Sequence, residues 1–226
     1  MLLSVYGDSI AAAYGLRPRQ GFVPKLASNL ASFSKRYANY VNFAQNGMTS
    51  WDLASAFVDH TDWREGLRGA DTICILIGGD DLIQDLPLLL SSSSKTAVQR
   101  ALLYSGQAYS SLVATAVALR KKQSRIAIGT IYNPFPNTPI AVEAINLYNE
   151  QIIVPAAQKF GVPIAPVHAA FAGSEPQLIQ GYSNGVAGSP GTHGIRIPIH
   201  PSAQGQSAIA GVFADALQST TPAPKK

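Results

Sequence analysis

Five short apolar runs, bounded by turn residues and separated by longer stretches of helical periodicity, constrain the fold of this chain most strongly. The runs are Leu2–Tyr6, Tyr40–Phe43, Thr72–Ile77, Arg125–Ile131 and Val162–Val167. Short apolar runs of this kind are typical of buried strands in a parallel sheet. Because parallel strands need crossover connections, the alternation predicts an α/β protein: a three-layer α/β/α sandwich with a central parallel sheet of about five strands.

The stretches between the runs place apolar residues three and four positions apart, which predicts helices. These stretches are Phe22–Leu30, Trp51–Val58, Ala97–Lys122 and Ile140–Phe160. The last is expected to bend or stop near Val154, because Pro155 has no amide hydrogen and clashes with the preceding turn.

Length and composition indicate one globular domain. The chain has 226 residues, of which 46% are hydrophobic and 13% charged. This composition supplies a core and excludes a disordered chain dominated by charge. We expect a single domain over residues 1–218 and a flexible tail over residues 219–226.

Charge and cysteine content exclude several partners and sites. The 17 Lys and Arg residues are scattered and exceed the 13 Asp and Glu residues by only 4, so no nucleic-acid partner is expected. Cys74 is the single cysteine, which excludes an internal disulfide, and its apolar neighbours predict a buried thiol.

No apolar stretch approaches the ~18 residues of a transmembrane segment. As written the chain is expected to be cytoplasmic, or secreted if a signal peptide was removed, and its oligomeric state stays open.

Four polar clusters lie where the predicted strands end or where the last helix begins. They are Gly7-Asp8-Ser9-Ile10, the stretch from Asn42 to Gly47, Gly78-Gly79-Asp80-Asp81, and His200-Pro201-Ser202. Ligands of open parallel sheets bind outside the carboxyl ends of the strands, where these clusters converge. A serine in a tight turn, a histidine base and free backbone amides are the components of acyl transfer.

The four clusters resemble the sequence blocks of the SGNH hydrolases, also called the GDSL esterase and lipase superfamily, over nearly the whole chain. The resemblance implies an SGNH fold, similar to flavodoxin, with Ser9 as nucleophile and His200 as base. It also implies an oxyanion hole formed by the amides of Ser9 and Gly47 together with Asp80. Asp8 and Asp81 would support these groups.

Two positions depart from the family pattern. The third block normally carries an Asn whose amide donates to the oxyanion, and here that residue is Asp80. The family also places an Asp three residues before the histidine, and here that residue is Ile197. A protonated Asp80 beside Asp81 would restore a donor. The backbone carbonyl of Ile197, or of a neighbour, would accept from Nδ1 of His200 and leave a Ser-His dyad.

Each cluster also has an interpretation without catalysis. Gly-Asp-Ser is an ordinary turn and helix cap, Gly47 is a turn glycine, and Asp80 and Asp81 are suited to stabilise a helix N-terminus. The order of the four clusters favours an esterase that cleaves a small-molecule, sugar or lipid ester through an acyl-enzyme on Ser9. No metal or organic cofactor is expected. The alternative is a catalytically weakened relative that binds an acylated sugar or lipid without efficient turnover.

Overall fold

The computed structural model, which describes residues 1–84 and 95–219, contains the predicted parallel sheet. Its five strands are Leu2–Gly7 (β1), Asn39–Asn42 (β2), Thr72–Leu76 (β3), Arg125–Gly129 (β4) and Ile164–Ala165 (β5). They pair in parallel in the order β2-β1-β3-β4-β5. This is the order of the flavodoxin-like doubly wound sheet, in which the chain reverses direction across the sheet between β1 and β3.

Helices cover both faces of the sheet. They are Phe22–Ser34 (α1), Ser50–Asp59 (α2), Thr61–Gly69 (α3), a helix that begins at residue 79 and is described to residue 84 (α4), Lys95–Leu119 (α5), Pro139–Tyr148 (α6), Val154–Lys159 (α7), Val167–Phe171 (α8), Glu175–Leu178 (α9) and Ala203–Gln218 (α10). A short 3₁₀ helix, Pro18–Gln20, precedes α1, and a π-helical turn, Asn149–Ile153, joins α6 to α7. The three-layer prediction is therefore confirmed.

Successive side chains of β3 point to opposite faces of the sheet, so the core is divided into two clusters. Ile73 and Ile75 pack on one face with α2, α3, α5, α6 and α7. Cys74 and Leu76 pack on the other face with α1, α8 and α10. Cys74 is fully buried, and burial raises the pKa of its thiol, so it is the inert core residue that the sequence predicts.

The edge strands differ from the prediction. All four residues of β2 are exposed, because β2 pairs only with β1, so this strand is not buried on both faces as expected. β5 has only two residues, since Pro166 lacks an amide hydrogen and α8 begins directly afterwards at Val167.

The predicted helix Ile140–Phe160 changes geometry immediately before Pro155, as expected near Val154. The helix does not stop there: in the π-helical turn the Val154 amide donates to the Asn149 carbonyl, and α7 continues with nearly the same backbone angles. The apolar spacing in the sequence does not predict α3, because only Trp63 and Leu67 of its nine residues are buried.

The serine-rich segment Ser91–Ser94, for which the sequence predicts a loop, and residues 220–226 of the predicted tail lie outside the described residues. Within residues 1–84 and 95–219, none of the helices combines the length and apolar character needed to cross a bilayer.

A buried glutamine connects α10 to the N-terminal part of the fold. Gln206 is 1% exposed. Its Oε1 accepts from the backbone N–H of Phe22, at the start of α1, over 2.8 Å, and its Nε2 donates to the carbonyl of Ile10 over 2.9 Å. Because Ile10 follows Ser9 directly, Gln206 also restrains the turn that carries the predicted nucleophile.

We expect Gln206→Leu to lower the free energy of unfolding by about 2–5 kcal/mol, because the amide of Phe22 and the carbonyl of Ile10 lose their partners where water does not replace them. Urea denaturation monitored by circular dichroism measures the change. Gln204→Leu, on the exposed side of the same helix, is the control and should change stability by less than about 0.5 kcal/mol. Equal effects of the two substitutions would contradict the anchoring role of Gln206.

Candidate active site

Ser9 lies in a tight turn at the carboxyl end of β1. Gly7 ends the strand, and a Cβ there would lie 2.1 Å from the carbonyl oxygen of Leu76 in β3, so only glycine fits. The turn closes through hydrogen bonds from the Ala12 amide to the Asp8 carbonyl, 2.9 Å, and from the Tyr14 amide to the Ser9 carbonyl, 3.0 Å. The side chain of Ser9 is consequently held, half-buried, at the edge of the sheet.

His200 lies in the loop before α10, and this loop is fixed to the segment around α9. The amide of Gln180 donates to the His200 carbonyl over 2.8 Å, and the amide of Ser202 donates to the Leu178 carbonyl over 2.7 Å. Ser202 also caps α10 through its side chain, which accepts from the Gly205 amide. The loop therefore has a defined path that determines where the imidazole lies.

The structure brings Ser9 and His200 together. Nε2 of His200 lies 3.0 Å from Oγ of Ser9. Burial lowers the pKa of His200, so the imidazole is neutral at neutral pH. In the tautomer that carries its proton on Nδ1, Nε2 accepts from the serine hydroxyl, which is the arrangement a general base requires.

Tyr14 couples the two loops that carry these residues. Its amide belongs to the Ser9 turn, while its ring packs on the imidazole of His200 with centroids 4.7 Å apart. The side chain of Gln180 donates to the carbonyls of both Tyr14, 3.4 Å, and Pro201, 2.9 Å. No sequence motif signalled Tyr14, Gln180 or Gln206, because their contacts depend on chain segments far apart in sequence.

The expected partner of Nδ1 is not found. Within residues 1–84 and 95–219, neither a backbone carbonyl nor a carboxylate hydrogen-bonds to Nδ1 of His200. The carbonyl of Ile197, suggested from the sequence, accepts instead from the Ile199 amide over 3.0 Å, and the Ile197 side chain is 60% exposed. The Ile197 carbonyl therefore belongs to the local turn, and the supporting role of Ile197 stays a prediction.

The backbone amides of the predicted oxyanion hole differ in their placement. Among the described parts of the chain, the Ser9 amide donates to no protein acceptor, so it is available to a ligand. Gly47 lies in the exposed loop after β2, with a left-handed φ of 77°, and this loop is tied to β1 by the Gln45 amide, which donates to the Gly7 carbonyl over 3.0 Å. Gly47 does not line the pocket that contains Ser9, so its role stays a prediction.

Asp81 has a structural partner. It is buried, and its carboxylate accepts from the Ser50 amide over 2.8 Å and from the Ser50 hydroxyl over 2.5 Å. It thus holds the first turn of α2 against α4. Burial raises the pKa of Asp81, and the bonds from Ser50 oppose that rise.

Asp80 and Asp8 both line the pocket beside Ser9. Burial, and then the charges of Asp81 and Asp52, raise the pKa of Asp80 to about 6. Burial raises the pKa of Asp8 to about 8, although its carboxylate accepts from the Ile10 amide over 2.9 Å. Ser9 is therefore next to two carboxyl groups that stay protonated at higher pH than ordinary aspartates.

Asn149 organises the loop after β4, which forms another wall of this pocket. Its side-chain oxygen accepts from the Ile131 amide over 2.9 Å, and its nitrogen donates to the Ile131 carbonyl over 2.8 Å. Nδ1 of His168 lies 3.0 Å from the same nitrogen. Asn149 thus has a structural function, and His168 belongs to this support and not to the Ser9–His200 pair.

The pocket has a volume of about 340 Å³ and extends from Ser9 and His200 between α4, α6 and the loops before α6 and α10. Most of its lining is hydrocarbon. The site therefore has an apolar side next to the hydroxyl of Ser9.

Comparisons with known proteins agree with this geometry. The model of the GDSL-like Lipase/Acylhydrolase family matches residues 5–208. Among curated proteins, none matches the chain in sequence.

Several solved structures share the fold. The lipase Lip_vut3 from a goat rumen metagenome superposes with a TM-score of 0.78 at 18% identity, covering 96% of this chain and 97% of the lipase. Axe2, an acetylxylan esterase from Geobacillus stearothermophilus, gives 0.69 at 19% identity, over 96% and 93% of the two chains. TesA gives 0.65 at 21% identity, over 97% and 99%.

The family match extends from β1, before the Ser9 turn, into α10, beyond the His200 loop, and therefore includes both parts of the site. The chain belongs to the GDSL-like Lipase/Acylhydrolase family and is a carboxylic ester hydrolase of the SGNH type.

Proposed function

We propose that the protein hydrolyses esters through an acyl-enzyme on Ser9, with His200 as the general base. The contact between Oγ of Ser9 and Nε2 of His200, 3.0 Å, carries this proposal. The lowered pKa of His200 supports it, because a neutral imidazole accepts the serine proton at neutral pH.

In the first step, Oγ of Ser9 attacks the ester carbonyl while Nε2 of His200 takes the hydroxyl proton. The tetrahedral oxyanion is bound by the Ser9 amide, with Gly47 and Asp80 as the further predicted donors. The intermediate then collapses, the bond to the alcohol oxygen breaks, and His200 returns the proton to the leaving alcohol.

In the second step, water attacks the acyl-enzyme, and His200 takes a proton from that water. Collapse releases the carboxylic acid and restores the hydroxyl of Ser9 with the proton held by His200. The complete reaction consumes the ester and one water molecule and needs no other reactant.

Because no described residue bonds to Nδ1, His200 has weaker support than a triad provides. Loss of the acid of a serine hydrolase triad costs ~10⁴ in rate. Here the Tyr14 ring and the hydrogen bond to the His200 carbonyl restrain the imidazole instead. This feature also favours the second candidate function, a weakened relative that binds acylated ligands and turns them over slowly.

We expect Ser9→Ala to reduce kcat by at least about 10³-fold without a change in thermal stability, because the nucleophile is lost and the fold is not. Incubation with a fluorophosphonate, followed by intact-mass measurement, should show one adduct on the wild type and none on the variant. Ser28→Ala, on the exposed face of α1, should behave as the wild type.

The same measurement separates the two candidate functions. An unlabelled wild type without turnover would reject the acyl-enzyme and favour the binding function. Persistent hydrolysis in Ser9→Ala would show that another group is the nucleophile.

Asp80 should make hydrolysis depend on pH. Its neutral form donates to the oxyanion and its ionised form repels it. With a pKa of about 6, about a tenth of the side chain is neutral at pH 7, and the neutral fraction falls tenfold for each further pH unit. Wild-type kcat should therefore decline above pH 6, whereas Asp80→Asn, which donates at every pH, should stay level and exceed the wild type about tenfold at pH 7.

Complete pH–rate profiles of both proteins measure this effect. Asp59→Asn, an exposed carboxylate at the end of α2, is the control and should reproduce the wild-type profile. If Asp80→Asn is no more active than the wild type from pH 6 to 9, Asp80 is not an oxyanion donor.

A further inference from the structure

The pocket beside Ser9 is apolar beyond its reacting end. Twelve of its 20 lining residues have purely hydrocarbon side chains, among them Leu82 and Ile83 of α4 and Ile140, Ala141, Ala144 and Ile145 of α6. The polar groups at the reacting end are Asp8, Ser9, Asp80 and His200. Hydrocarbon therefore forms the surface that a bound substrate meets once it passes the nucleophile.

The two remaining polar side chains in the lining are already engaged. The hydroxyl of Tyr132 donates to the Ile199 carbonyl, and Oγ1 of Thr138 accepts from the Ala187 amide over 2.8 Å. A sugar placed here would lose water from its hydroxyl groups and gain few partners, which costs about 1–3 kcal/mol for each unsatisfied group. A hydrocarbon chain gains free energy from the same transfer.

The orientation of the ester follows from the chemistry at His200. Because His200 protonates the leaving oxygen, the alcohol must lie beside its imidazole, where the Tyr14 ring is 54% exposed. The acyl chain then extends away from that open side, along the enclosed wall formed by α6 and the loop after β4.

We propose, on the basis of the acyl-enzyme mechanism above, that this pocket binds the acyl chain of medium-chain esters and that Ala141 and Ala144 of α6 set the chain length it accepts. The volume of about 340 Å³ corresponds to about ten methylene groups, if each takes the ~30 Å³ of one water molecule. An acetyl group would leave most of this volume unfilled. Both alanines line the pocket, and any larger side chain at either position takes space from the ligand.

The first experiment measures kcat/KM for two series of esters below their critical micelle concentrations. In the first, p-nitrophenyl esters carry acyl chains of two to sixteen carbons; in the second, acetyl esters carry alcohols of the same lengths. Each buried methylene contributes up to ~0.8 kcal/mol, so kcat/KM should rise about two- to fourfold per acyl carbon until the pocket is filled near ten carbons. A flat acyl series, or a rise only with alcohol length, would overturn the proposal.

The second experiment changes the pocket. Ala144→Phe, with Ala141→Leu as a milder variant, should lower the ratio of kcat/KM for the octanoyl ester to that for the acetyl ester at least about tenfold. Asn146→Phe places the same large side chain on the exposed side of α6 and should leave both values unchanged. A folded pocket variant with the wild-type ratio would contradict the role of α6.

Binding without catalysis distinguishes failure of the pocket from failure of the mechanism. Calorimetric titration of the Ser9→Ala protein with octanamide and acetamide should detect binding of octanamide only, and Ala144→Phe in the same background should weaken that binding. Binding of octanamide to Ser9→Ala, together with a wild type that hydrolyses no ester, would reject the acyl-enzyme and retain the apolar pocket. No binding of octanamide would reject the pocket itself.

Discussion

The parallel pairing of β1 with β3 is the constraint on which the site depends. Gly7 and Leu76 approach so closely at the end of this pair that no side chain fits between them. As a result, the turn that carries Ser9 and the helix that carries Asp80 begin side by side, at the point where the strand order reverses. Ligands bind at this position in doubly wound sheets, because the loops on either side diverge and leave a crevice.

His200, the other residue of the Ser9–His200 contact, is positioned by hydrogen bonds and not by the sheet. Ser9 and His200 are 191 positions apart, and their contact requires α10 to lie in one place. Gln206 connects α10 to the carbonyl of Ile10, and Gln180 connects the His200 loop to the carbonyl of Tyr14. His200 therefore reaches Ser9 through hydrogen bonds between distant backbone segments, and no carboxylate of the described residues bonds to its Nδ1.

The three aspartates near Ser9 have different surroundings and therefore different chemistry. Asp81 is bound by Ser50 and serves the fold, whereas Asp80 and Asp8 line the pocket with raised pKa values. An apolar pocket beside them lowers the local polarity, which favours both a neutral acid and a hydrocarbon ligand. The same burial thus links the pH dependence proposed for hydrolysis to the acyl chain proposed as ligand.

The sequence alone determined the parallel sheet, its helical layers, and Ser9 and His200 as candidates, because apolar periodicity and strand-end motifs are local patterns. It also predicted the buried state of Cys74. Only the tertiary structure decided that β2 is exposed, that the Ile197 carbonyl bonds to Ile199, and that Tyr14, Gln180 and Gln206 support the site. The apolar pocket, too, is decided only by the tertiary structure. Its walls come from α4, α6 and separate loops, and residues far apart in the chain form a cavity only after packing sets their distances.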